Sequence, residues 1–171
     1  MQELLCFQGV RPEFSIDLVA VNDADEKWMR VAIEQAREAE ALHEVPIGAV
    51  IVGENGTVIA AASNRTITDN DPTAHAEILA LRAAATLIGN YRLTDVTVYS
   101  TIEPCVMCAG ALVNARVKRL VYGAKDERFG AVESRFNICD NADLNHRIEI
   151  QSGILAEECR ELMQSFFRAR R

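Results

Sequence analysis

No stretch of this 171-residue chain holds the eighteen or so apolar residues that a membrane-spanning helix needs, which excludes a helical membrane protein. Residues 1–14 lack the basic start and long apolar stretch of a secretory signal, so a soluble cytoplasmic protein is expected. Internal repeats and low-complexity segments are also absent, which excludes repeat arrays and linker-like chains. Positive charge is scarce. Eighteen Lys and Arg face 25 Asp and Glu, a formal net charge of -7, whereas phosphate binding is built on Lys and Arg. That deficit is local: residues 1–45 hold ten acidic and four basic residues, and the rest of the chain, with fifteen and fourteen, is near neutral. Within it Arg116, Lys118, Arg119, Lys125, Arg128 and Arg135 gather in one stretch, and Arg168, Arg170 and Arg171 close the chain. From charge alone such runs read first as a solvated face.

An even cysteine count is lacking too. Five cysteines, two of them in Cys105-Val106-Met107-Cys108 beside Pro104, suit metal binding in a reducing compartment better than a disulfide framework. Cys6, Cys139 and Cys159 read as small apolar fillers or bystander thiols, Cys139 being the one placed to offer a fourth ligand.

What is present is an apolar fraction of 49%, enough for one core of ordinary size. Residues 1–22 show no steady period and are expected to form an N-terminal extension outside the core, with disorder as one alternative, ahead of a single domain over 23–171. Over 23–42 the apolar positions Trp28, Val31, Ala32, Ala36 and Ala39 recur at helical spacing, behind acids that favour a first turn. Apolar segments 47–52 and 57–62 flank Gly53-Glu54-Asn55-Gly56 as in a hairpin. Asp71-Pro72 predicts a cap and a proline-started helix over 74–87, with His75 and Glu77 in its opening turns. A strand over 96–101, a second proline-started helix over 105–113, a strand over 119–123, loop over 126–145, a short strand over 147–150 and a helix over 154–168 follow. This order implies an α/β fold, a mixed sheet covered by helices on both faces.

The chemistry lies in His75-Ala76-Glu77 and Pro104 to Cys108. In mid-helix, residues two apart point to different sides, so His-x-Glu can serve one centre only where the ligand sits over a helix end. Cys105 and Cys108, three apart, share one face of a first turn, so two helix N-termini can converge on one zinc. Three ligands and one carboxylate describe an open, catalytic zinc, because a structural site closes all four positions. Zinc lowers the pKa of bound water toward 7 and Glu77 can take the released proton. Each motif alone is common, a Cys-x-x-Cys being as often a redox pair or half a zinc ribbon; the joint pattern is what specifies.

His-x-Glu with Pro-Cys-x-x-Cys is the zinc deaminase signature. With Val45-Pro46-Ile47-Gly48, Asn64-Arg65, Asp71-Pro72-Thr73-Ala74, Asn90-Tyr91-Arg92-Leu93, Asn145-His146-Arg147 and Phe166-Phe167-Arg168 the chain resembles the bacterial tRNA-specific adenosine deaminases of the cytidine/deoxycytidylate deaminase superfamily. The resemblance implies a three-layer α/β/α, cytidine deaminase-like fold and hydrolytic deamination of the wobble adenosine to inosine in a tRNA anticodon. It implies a homodimer with one Zn2+ per subunit, bound by His75, Cys105 and Cys108, with Glu77 as proton shuttle. Asn64 would then bond the base edge, and the Ala76 amide would approach the reacting centre. Phe166 or Phe167 would stack on loop bases, Asp126 would accept from a ribose hydroxyl, and Lys125, Arg168 and Arg170 would contact phosphates; no DNA is expected. The rivals are a small-molecule deaminase of guanine, cytosine or dCMP type, which shares every catalytic residue, and a non-catalytic zinc-stabilised binding module.

Overall fold

The structure, a computed structural model, describes residues 16–170, with side chains from residue 23. Residues 1–15, most of the expected extension and Cys6 with them, and the final Arg171 lie outside the described residues. Helix α1 (Ile16–Ala41) starts seven residues before the expected Asp23, in a stretch with no Gly or Pro to stop it. Then come β1 (Gly48–Gly53), β2 (Val58–Ser63), α2 (Ala76–Ile88), β3 (Val96–Ile102), α3 (Val106–Asn114), β4 (Arg119–Ala124), β5 (Glu149–Ser152) and α4 (Ala156–Arg168). The sheet order is β2-β1-β3-β4-β5, antiparallel from β2 to β3 and parallel from β3 to β5. Among the described residues no helix is long and apolar enough to cross a membrane.

Strand alternation builds two cores. Ala49, Ile51, Val98, Leu120 and Tyr122 face one, with α2 and α3, whereas Val50, Val52, Tyr99 and Val121 face the other, with α1 and α4. A central strand buried on both faces reads as a near-continuous apolar run, which is why β1 is legible in the sequence, while β3 is legible from its β-branched and aromatic residues. The result is the expected three-layer α/β/α sandwich.

Helix α1 is pinned by polar chemistry as well as by packing. Buried Asp25 accepts from Nη1 and Nη2 of Arg119, at 2.7 and 2.8 Å, and from the Tyr99 hydroxyl at 3.0 Å. At Gly48 the helix lies so close to β1 that a Cβ would stand 2.0 Å from the Ala32 carbonyl oxygen. Strand β5 starts two residues later than the sequence suggests, because the preceding residues are tied elsewhere: His146 Nε2 to the Val117 carbonyl (2.7 Å) and Arg147 to Asp140 (2.6 Å).

Candidate metal centre and active site

The two motifs sit at helix starts, one step earlier than the sequence suggests. Helix α2 begins at Ala76, and His75 is its N-cap, with an extended backbone (φ -73, ψ 149). Pro72 is therefore not its first residue. Asp71 Oδ1 accepts from both the amide and the hydroxyl of Thr73 at 2.7 Å, a local turn that competes with helix and delays it. Cys105 is likewise the N-cap of α3 (φ -72, ψ 176), with Cys108 in the first turn. An N-cap side chain points along the helix axis and off the helix, so His75 and Glu77 reach one region despite being two apart.

Convergence is close. His75 Nδ1 lies 3.7 Å from Cys105 Sγ and 3.5 Å from Cys108 Sγ, and the three donor atoms fall within 4.8 Å of one another. In a tetrahedron with Zn–N near 2.0 Å and Zn–S near 2.3 Å, a nitrogen–sulfur edge is about 3.6 Å. One imidazole, two thiols and that spacing fit zinc. Cys139 does not join them: it is wholly buried in the apolar core beside α2 and α3, and burial pushes its thiol up to about 12.

Charge at the centre follows from geometry. A hydrogen bond from Cys108 holds the Cys105 thiol down to about 4 against the effect of burial, with His75 helping; the same bond and burial push Cys108 upward. The His75 imidazole is raised, first by its bond to Cys105. Two helix N-termini, each with a partial positive charge, offset the negative charge collected here. Glu77 is 2% exposed, its carboxyl is raised by burial, and its Oε2 has no hydrogen-bond partner among the described residues. A buried carboxylate oxygen without a partner among the described residues, two residues from a metal-type donor, is suited to receiving a proton.

Around this centre the other expected residues fall as follows. Ala76 is buried at the start of α2, so its amide is among the helix N–H groups that lack an intrahelical acceptor. Asn64 is buried, and the Arg65 amide bonds the Ala74 carbonyl at 3.0 Å, which brings this segment beside His75. Asp126 is half-buried; its Oδ1 accepts from the amides of Arg128 (2.9 Å) and Phe129 (3.1 Å). Lys125 is exposed and pairs with Glu133 at 3.4 Å. Of the two phenylalanines, Phe166 packs at 3% exposure while Phe167 is 48% exposed, edge-on to it at 5.4 Å. Arg168 is exposed; Arg170 stacks over the Phe166 ring at 3.5 Å and reaches the His43 carbonyl at 3.4 Å.

Two buried carboxylates had no assigned role in the sequence. Glu44 accepts from the amides of Ile67 (2.8 Å) and Thr68 (2.6 Å) and from Asn64 Nδ2 (3.3 Å), which fixes the Asn64 amide. Glu103 accepts from the amides of Val132, Glu133 and Ser134 on Oε1, and from the Asp126 amide and the Ser134 hydroxyl on Oε2. Burial works to raise both, but the donors, led by the Thr68 amide for Glu44 and the Glu133 amide for Glu103, hold them below the usual carboxylate range. The available signal was an acid set against apolar neighbours, at Val45-Pro46-Ile47 and after β3.

Residues 23–171 match the family model for MafB19-like deaminases. The tRNA-specific adenosine deaminase of Haemophilus influenzae is 51% identical over 150 residues, 88% of this chain and 87% of that protein. That of Bacillus subtilis is 44% identical over 84% of this chain and 89% of its own length. A solved structure from studies of A-to-I editing by tRNA:A34 deaminases at the wobble position of transfer RNA superposes with a TM-score of 0.77. It is 44% identical and covers 80% of this chain and 98% of that one.

Proposed function

The chain belongs to the MafB19-like deaminase family and, within it, to the tRNA-specific adenosine deaminases, and on that footing we propose that it converts the wobble adenosine of a tRNA anticodon to inosine by hydrolysis. The observation that carries the chemistry is the meeting of His75, Cys105 and Cys108 with the unpartnered Glu77 Oε2. His75 Nδ1 and the two thiolates would hold one zinc ion. Zinc supplies Lewis acidity that makes water nucleophilic near neutral pH.

The chain's own residues then manage protons. Glu77 takes one from water onto Oε2, and its raised pKa makes the ionised form a stronger base. It delivers that proton to the ring nitrogen next to the attacked carbon, C6, then moves a second to the departing amine. Water adds, ammonia leaves, and inosine remains. The Ala76 amide donates toward the reacting centre. Asn64, held by Glu44, bonds the base edge. Asp126 accepts from a ribose hydroxyl, while Lys125, Arg168 and Arg170 contact phosphates and Phe167, over buried Phe166, meets loop bases.

Residues 23–171 form the deaminase domain in this reading, and a homodimer in the cytoplasm goes with it. An apolar groove of about 360 Å³ between α2 and α3, lined by Ile78, Leu81, Ala85, Tyr91 and Ala111, supports the dimer. Incubation with an anticodon stem-loop bearing wobble adenosine, beside free guanine, cytosine and adenosine, tests the function. Inosine in the stem-loop is expected, and turnover of a free base alone would refute it. Glu77→Ala should keep zinc and fold but lose turnover; activity near the parent's would remove Glu77 from the reaction.

A further inference from the structure

Three residues after Asp126 stands Phe129, an aromatic ring 65% exposed, for which neither the sequence nor the site chemistry supplies a use. The turn that carries it is fixed through its main chain. Asp126 Oδ1 accepts from the Phe129 amide, the Asp126 carbonyl accepts from Gly130 N at 2.9 Å, and Asp126 N donates to buried Glu103 Oε2 at 3.1 Å. Gly130 then pairs as a β-bridge with Cys105. A Cβ on Gly130 would lie 2.4 Å from Glu103 Cδ, so loop and acid interlock. Phe129 is thus one residue from a main-chain bridge to the metal-type donor set, at the rim of the centre. Arg128 beside it is exposed and makes no ion pair among the described residues.

An exposed aromatic ring on a turn held through its main chain, next to an exposed guanidinium that makes no ion pair among the described residues, offers one face for stacking and one charge for a phosphate. We propose that Phe129 is a stacking platform for a nucleobase of the RNA flanking the target adenosine, with Glu103 as the residue that positions it. The proposal rests on the tRNA reading of the same centre. Every base presents a π-face, so the contact adds affinity with little sequence preference. Arg128 favours RNA over an apolar protein partner, because an exposed cation beside the ring suits the anionic backbone of a nucleic acid.

The test measures the dissociation constant of the wobble-adenosine stem-loop for the parent, Phe129→Ala and Phe129→Tyr, together with the parent's turnover. Phe129→Ala should weaken binding about 5- to 150-fold, the effect of losing one base–aromatic stack. Phe129→Tyr, which keeps the ring, should bind close to the parent. Abasic sites placed one at a time in the loop should reproduce the loss at one position, where Phe129→Ala then adds nothing. Glu103→Gln should weaken the parent but change Phe129→Ala much less, a coupling that a general loss of stability would not produce. If Phe129→Ala binds like the parent while the parent makes inosine, the platform is refuted and the tRNA reading stands. If the parent leaves the stem-loop unchanged, both fall. If Phe129→Ala halves the sedimenting mass, the ring belongs to a contact between copies and the proposal fails.

Discussion

Glu103→Gln takes one charge and one acceptor from a carboxyl that is 2% exposed and serves five donors. If the glutamine oxygen keeps the amides of Val132, Glu133 and Ser134, its NH2 group faces the Asp126 N–H and orphans it. Turned the other way, it orphans three. An orphaned buried donor costs about 1–3 kcal/mol, and each surviving bond falls from the charge-assisted range to the neutral one, by about 1 kcal/mol. Part of that is offset because a neutral group is easier to bury. The net loss is about 3 kcal/mol, and for a domain of this size the melting temperature should fall by about 6–12 °C.

Acid gives a second signature. The folded pKa of Glu103 is depressed, so its contribution is complete above the unfolded value and is lost as pH falls through the folded one. Urea unfolding at a series of pH values should show a parent-minus-variant difference that is flat above about pH 5 and shrinks below it. A variant within about 1 kcal/mol of the parent at neutral pH, or a gap that persists undiminished into acid, would refute the reasoning.

Asp25→Asn should cost about 3 kcal/mol in chemical denaturation, the low end for breaking a buried pair, because Arg119, mostly buried, keeps only Glu149, at 3.3 Å, among the described residues; a loss under about 1 kcal/mol would argue against the pin. Gly48→Ala should cost at least about 1–3 kcal/mol, since the new Cβ meets backbone atoms of Ala32 and Ala36 that cannot swing aside; an unchanged urea midpoint would show that α1 can lift off β1 freely. Cys108→Ser should lower bound zinc severalfold below the expected one per chain by metal analysis, and full retention would exclude Cys108 as a ligand. Reversing charge at Lys125, Arg168 and Arg170 should weaken stem-loop binding and flatten its salt dependence; an unchanged slope would remove them from the phosphate contacts.

Much of the fold was legible because its signals are local. The β1 run is apolar on both faces, β3 is rich in β-branched and aromatic residues, and α1 repeats small side chains at helical spacing. The metal donors were legible because residue type and helix position coincide in two motifs. The start of α2 was misread by two residues because Asp71 offers the backbone of Thr73 another bond, and that of α1 by seven because no Gly or Pro marks it. Glu44 and Glu103 stayed hidden because their partners lie 20 to 31 residues away. Nothing next to an acid says which distant amides will find it. Phe166 and Phe167 adjoin in the chain, yet one packs and one is open, since the docked face of α4 decides their fates.

Glu103 has a longer-term consequence. A loop whose course is set by amides meeting one acid can exchange the side chains it displays without being rebuilt. Positions 127 to 129 are therefore open to drift and selection, and descendants of this chain can retune what the rim welcomes while still folding. Glu103 and Gly130 lack that freedom. Each fills the other's space, so change at either has to await change at its mate, and the pair should outlast many rounds of turnover in the residues between them.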